Sequence, residues 1–144
     1  MPVDPQGEWL LMVDGAARGN PGEAGCGAVV YDETGAVRQK LFRYLGQATN
    51  NVAEYEGLLM GLQAVLKLGG RKVEVRSDSE LMVRQLNGLY RVKDEKLKPL
   101  YQRALVLLQR LGAYRIIHVP RDHNRLADEL ANQAIDEAIE RSTN

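Results

Sequence analysis

Trp9-Leu-Leu-Met-Val-Asp-Gly-Ala-Ala-Arg-Gly-Asn-Pro-Gly22 is an apolar run that ends in a single carboxylate, Asp14, and passes at once into small residues and an Asn-Pro-Gly turn. Five consecutive apolar residues, 9–13, predict a strand buried on both faces and ending near Asp14 or slightly beyond. A carboxylate at the mouth of such a strand is costly unless a hydrogen-bond network or a metal ion compensates for lost hydration. Gly15, Gly19 and Gly22 would let backbone pass close to a ligand. Taken alone, Asp14-Gly15 also suits a plain hairpin, so its meaning depends on what the flanking chain supplies.

Downstream, Gly25 to Tyr31 predicts a second strand, Asp32-Glu-Thr-Gly35 a hairpin turn, and the alternating segment from Val37 to Leu45 a third, edge-like strand. The period then changes. Tyr55, Leu58, Leu59, Leu62, Val65 and Leu66 form one helical face between Thr49-Asn-Asn51 and Gly69-Gly70. Lys72 to Arg76 predicts a fourth strand and Glu80 to Leu86 a short helix. A further helix begins near residue 98, beside Pro99; Tyr114 to Val119 forms a fifth strand, and a last helix follows. Strands separated by helices join a sheet in parallel through right-handed crossovers. The expected architecture is α/β: a mixed five-stranded sheet, three antiparallel then two parallel strands, with helices on both faces. One domain is expected over residues 1–144, with its core at about 8–140 after a frayed lead-in at residues 1–8.

Composition narrows the class. Hydrophobic residues make up 44% and charged residues 26% of 144, ordinary for a soluble domain. The lone Cys26 has no internal disulfide partner, which points to a reducing, cytoplasmic setting. No apolar run approaches the roughly 18 residues of a membrane span, and no leader pattern precedes the first strand. Lys plus Arg and Asp plus Glu each count 19, so any nucleic-acid contact must rest on local patches rather than net charge.

Four acids come from four elements. Asp14 and Asp78 each end a strand, and parallel neighbours would bring both to one carboxyl edge. Glu54 and Asp128 each flank the apolar stripe of a helix and can reach inward over that edge. Each has a plainer reading: Asp78 or Ser79 as a helix cap, Glu54 and Asp128 as solvated flank residues. Converging carboxylates repel unless they are protonated or bridged by cations, and oxygen ligands favour Mg²⁺, with Mn²⁺ as a substitute. Two such ions about 3.5–4 Å apart suit an in-line phosphoryl displacement.

These residues resemble the type 1 ribonuclease H family. Asp14-Gly-x-x-x-Gly-Asn-Pro-Gly22, Thr49-Asn-Asn-x-Ala-Glu54, Ser77-Asp-Ser79 and Asn124-x-x-Ala-Asp128 occur in the family's order, across about residues 8–138. The resemblance implies a central first strand beside the fourth, and endonucleolytic hydrolysis of the RNA strand of RNA/DNA hybrids to 3′-hydroxyl and 5′-phosphate ends. It implies metal-dependent catalysis by Asp14, Glu54, Asp78 and Asp128, with two ions bound when substrate is present. Gly15, Asn20 and Ser79 would face the hybrid, and Thr49, Asn50 and Asn51 its DNA strand. A reader of several 2′-hydroxyls would act poorly on a single embedded ribonucleotide.

Three departures from the family pattern carry expectations. The basic protrusion is reduced: residues 84–103 hold six basic and two acidic side chains, which predicts weaker or more salt-sensitive binding. The mobile His before the last helix has only His123 or Arg121 to stand in for it, His118 reading as a structural strand residue. Glu80 occupies a position where a neutral side chain often contacts the minor groove. The compact form makes duplex RNA a candidate second substrate, and the chain is expected to act as a monomer away from membranes. The alternative reading is a catalytically silent hybrid- or RNA-binding module of the same fold.

Overall fold

The computed structural model describes residues 7–143. Its elements run β1 (Trp9–Gly19), β2 (Gly22–Tyr31), β3 (Val37–Ala48), α1 (Asn50–Leu68), β4 (Lys72–Ser77), α2 (Glu80–Leu86), α3 (Lys98–Gln109), β5 (Ala113–His118) and α4 (Arg125–Thr143). A 3-10 turn at Arg121–His123 precedes α4. The strands form one sheet in the order β3-β2-β1-β4-β5. β1, β2 and β3 pair antiparallel, whereas β4 runs parallel to β1 and β5 parallel to β4. This is the expected mixed sheet, with β1 at its centre. Of the lead-in, residues 1–6 lie outside the described residues; Glu8 is not frayed, since its carboxylate accepts two hydrogen bonds from Arg115 at 2.9 and 2.7 Å.

β1 runs further than expected, continuing to Gly19 instead of ending at or slightly beyond Asp14. Its second half is Gly15-Ala-Ala-Arg-Gly19, which carries no apolar pattern to read. It stays extended because β2 offers an equally small partner, in register from Asp14 opposite Gly27 to Gly19 opposite Gly22. The β1–β4 ladder stops earlier, at Val13 opposite Ser77. Asp14 and Asp78 are therefore each one residue beyond the last parallel pair. The carboxyl edge inferred from sequence exists on the β4 side of β1 alone.

Both faces are covered. Leu11 and Val13 of β1 and Val73 and Val75 of β4 are buried with Leu58, Leu62 and Val65 of α1 and Leu108 of α3. Full burial of each such side chain contributes about 1.5–3 kcal/mol relative to exposure. α4 lies on the opposite face, where a Cβ on Gly27 would fall 2.5 Å from the Ala127 carbonyl oxygen. At Gly15 the close neighbour is also helix: a Cβ there would fall 2.2 Å from the Ala53 carbonyl carbon of α1. The expectation that Gly15 clears space for a ligand is thus corrected in part, because its missing side chain admits α1.

Helix ends follow their sequence signals. The Thr49 hydroxyl accepts from the Val52 amide at 3.2 Å, and Gly69 closes α1 at φ 94°. α3 starts at Lys98, with Pro99 in its first turn. Among the described residues, no helix is long and apolar enough to cross a membrane.

Candidate active site

The four predicted acids converge at the end of the β1–β4 ladder. Asp14 projects toward the α4 face, because its cross-strand partner Gly27 carries α4 against it. That seating puts Asp128, one residue after Ala127, beside Asp14. Glu54 enters from α1, whose close approach depends on the absent Gly15 side chain. Asp78 follows the last β4 residue and is free to face the cleft because the α2 cap is Ser79, whose hydroxyl accepts from the Met82 amide at 3.2 Å. Of the two capping readings, Ser79 takes the role.

One oxygen from each of Asp14, Glu54 and Asp78 lies within 4.8 Å of the other two. Asp128 lines the same cleft, of about 410 Å³, without joining that tight group. Asp14 is 3% and Glu54 4% exposed. Burial pushes the Asp14 carboxyl far above its usual range, and the charges of Glu54 and Asp78 push it further. Burial also raises Glu54, reinforced by Asp78 and opposed by a hydrogen bond with Asp14. The Gly15 amide donates to Asp14 Oδ1 at 2.9 Å. Glu54 Oε2 is buried with no hydrogen-bond partner. Hard oxygens held close together, one of them orphaned, suit a divalent cation.

The remaining predicted residues separate. Gly15, Asn50, Ser79 and Arg121 line the cleft. Asn20, Thr49, Asn51 and His123 are not among its lining residues. Asn20 acts one step back, its Oδ1 accepting from the Asn50 amide at 3.0 Å, which joins the β1–β2 turn to the start of α1. Asn20-Pro21 is a cis peptide. Of the two candidates before the last helix, Arg121 reaches to 3.9 Å from Asp128, whereas His123 is exposed on the 3-10 turn. Glu80 is engaged with Arg84 at 2.9 Å.

Two asparagines and one arginine were not assigned roles from sequence. Asn124 is fully buried, and its Nδ2 donates to the Val13 carbonyl at 2.8 Å. Its own carbonyl accepts from the Asp128 amide at 3.2 Å. The Asn124-x-x-Ala-Asp128 spacing held that signal without revealing the partner. Asn132 contacts Asp128, and Arg18 contacts Asn132.

Known proteins match this arrangement. A family model described as "Reverse transcriptase-like" matches residues 12–134. The Bifunctional protein Rv2228c of Mycobacterium tuberculosis is 42% identical over 91% of this chain, which spans 36% of that protein's length. Ribonuclease HI of Halobacterium salinarum is 42% identical over 87% of this chain and 63% of its own. The crystal structure of LC11-RNase H1 in complex with an RNA/DNA hybrid superposes with a TM-score of 0.86 at 42% identity, covering 91% of this chain and 99% of that one. With its sheet order, its acidic cleft and these likenesses together, the chain belongs to the type 1 ribonuclease H family.

Proposed function

We propose that this chain is a metal-dependent endoribonuclease that hydrolyses the RNA strand of RNA/DNA hybrids, leaving 3′-hydroxyl and 5′-phosphate ends. The observation that carries the reading is the convergence of buried Asp14 and Glu54 with half-buried Asp78 within 4.8 Å. A module that only bound a hybrid would gain nothing from burying Asp14 and Glu54 beside a third acid, where burial and neighbouring charge disfavour their ionised forms. The hybrid seen with LC11-RNase H1 supports the substrate class.

Asp14, Glu54, Asp78 and Asp128 would hold Mg²⁺, or Mn²⁺ in its place, as two ions once substrate is bound. Such ions supply a hydroxide-like nucleophile and charge stabilisation for in-line attack at phosphorus. The chain's own part is positioning. Asp14 is the common acid, reached by its neighbours from both faces of the sheet. Glu54, beside the Gly15 backbone, would face the leaving 3′-oxygen and the adjacent 2′-hydroxyl. Asp78 and Asp128 would orient the attacking water. Gly15, Asn20 and Ser79 would follow the hybrid's surface. Thr49, Asn50 and Asn51 would meet the DNA strand around the N-terminus of α1, where free amides favour phosphate. Arg121, which lines the cleft 3.9 Å from Asp128, would assist there rather than His123.

The short segment between α2 and α3 supports duplex RNA as a secondary substrate. We place the chain as a single-domain monomer in the cytoplasm, consistent with one buried cysteine and no disulfide.

One labelled strand presented as RNA/DNA, RNA/RNA and DNA/DNA, with Mg²⁺, Mn²⁺ or EDTA, tests the reading. RNA in the hybrid is cut only with metal, and Asp14→Asn abolishes cutting. One embedded ribonucleotide is cut far more slowly than four in a row. Tight metal-independent binding with no cutting of any duplex would favour the silent module.

A further inference from the structure

Asp128, Asn132 and Asp136 recur every four residues along one face of α4, and a single side chain from β1 meets the last two. Arg18 Nη2 donates to Asn132 Oδ1 at 3.2 Å and pairs with Asp136 Oδ1 at 2.7 Å. Asn132 Nδ2 in turn donates to the Asp128 carbonyl at 3.1 Å and to Asp128 Oδ1 at 3.3 Å. Both Arg18 and Asn132 line the acidic cleft.

An asparagine amide has a donor end and an acceptor end, and packing alone seldom fixes which way it faces. Here the choice is forced. A guanidinium has donors only, so Arg18 can meet only the oxygen end of the Asn132 amide, and the NH₂ group then faces Asp128. Asp128 itself is half-buried beside like charges and has a competing cation at 3.9 Å in Arg121, on the exposed side. Without the amide, its carboxylate would be free to swing out toward that arginine. Asp136 completes the device, since it draws Arg18 away from Asp128 and leaves that carboxylate's charge available to the cleft.

We propose that Asn132 is a positioning residue for Asp128 and that Arg18 acts through it, by locking the amide in its donating orientation. The proposal rests on the reading of Asp128 as a metal-holding acid. It assigns the two residues a part in metal affinity that neither their exposure nor the four-acid set specifies. Outer hydrogen bonds of this kind commonly change metal affinity or activity by about 10- to 100-fold.

The test is calorimetric titration of the full chain with Mn²⁺ alone, for wild type, Asn132→Ala, Asn132→Asp, Arg18→Ala and the Arg18→Ala/Asn132→Ala double variant. Hybrid cleavage against Mg²⁺ concentration and hybrid binding in EDTA are measured in parallel, and thermal melts establish that each variant is folded. Asn132→Ala should weaken Mn²⁺ binding roughly tenfold and raise the half-saturating Mg²⁺ for cleavage to match. Hybrid affinity in EDTA should stay within a factor of about two. Asn132→Asp keeps the side chain's size but removes the donor, so it should be at least as impaired. Arg18→Ala should weaken Mn²⁺ binding alone and add nothing in the Asn132→Ala background. Mn²⁺ affinity unchanged in Asn132→Ala, or an undiminished Arg18→Ala effect in the double variant, would overturn the proposal. Wild-type protein that binds Mn²⁺ but cuts no duplex would sink the proposed activity while the Mn²⁺ comparison still decides the role of Asn132. Wild-type protein that takes up no Mn²⁺ overturns both.

Discussion

The Asn124 side chain donates to the carbonyl of Val13 while its backbone receives the amide of Asp128, at 2.8 and 3.2 Å. One buried residue therefore joins the position before Asp14 to the helix turn that carries Asp128. Asn124→Ala leaves the Val13 carbonyl buried without a partner, at a cost of about 1–3 kcal/mol. The expected result is a folded protein with a lower melting temperature. Its cleavage of hybrid should fall further than lost stability explains, because both acids lose a shared reference. Melting curves and kcat measured at a temperature where the variant is fully folded separate the two effects.

Asp14 and Glu54 bind protons more tightly folded than unfolded, because burial and neighbouring acids disfavour their charge. Their contribution to stability is therefore greatest below the unfolded carboxyl range, near pH 4, and is lost as pH rises above it. In EDTA, the melting temperature should fall between pH 5 and pH 8. Asp14→Asn should flatten that fall and melt roughly 2–6 °C higher near neutral pH. Mg²⁺ or Mn²⁺ should raise the wild-type melting temperature and leave Asp14→Asn nearly unmoved. A wild-type midpoint that climbs from pH 5 to pH 8 in EDTA would contradict this.

Gly15→Ala drives a methyl group to within 2.2 Å of α1 backbone, which has no flexible end to yield. Overpacking of this kind costs about 1–3 kcal/mol or more. It should also push Glu54 away from Asp14, so soluble Gly15→Ala protein should bind Mn²⁺ more weakly than wild type in calorimetry.

Cys26 is fully buried, and burial pushes its thiol up to about 12. Thiolate is the reactive form, so the native protein should resist a disulfide-exchange reagent at pH 8 and react stoichiometrically once unfolded in guanidinium. Rapid labelling of folded protein would show that β2 opens locally.

Periodicity alone exposes most of this fold. The helical stripe from Tyr55 to Leu66 announces its element because burial on one face leaves a residue-level trace, whereas Val37 to Leu45 shows its alternation although none of its residues is fully buried. The second half of β1 leaves none: Ala16 and Ala17 are extended because β2 and α1 are close, a condition set by residues distant in sequence. The four acids were legible as a set because Asp14 and Asp78 end apolar strands and Glu54 and Asp128 flank apolar stripes. The contact of Arg18 with Asn132 was not, since it depends on where α4 crosses β1. The choice between Arg121 and His123 likewise turns on the direction of a single 3-10 turn.

β1 is the first strand of this sheet in chain order and the middle of the finished sheet. It pairs at once with β2, yet its other edge must wait for β4, and Asp14 meets Asp128 only when α4 docks. In order of synthesis, Asp14 thus precedes by about 110 residues the helix that brings Asp128 to it. Shortened products lacking α4 would lack the fourth acid and the clamp on β1 alike. Under the proposed function, fragments that stop before α4 would cut no hybrid.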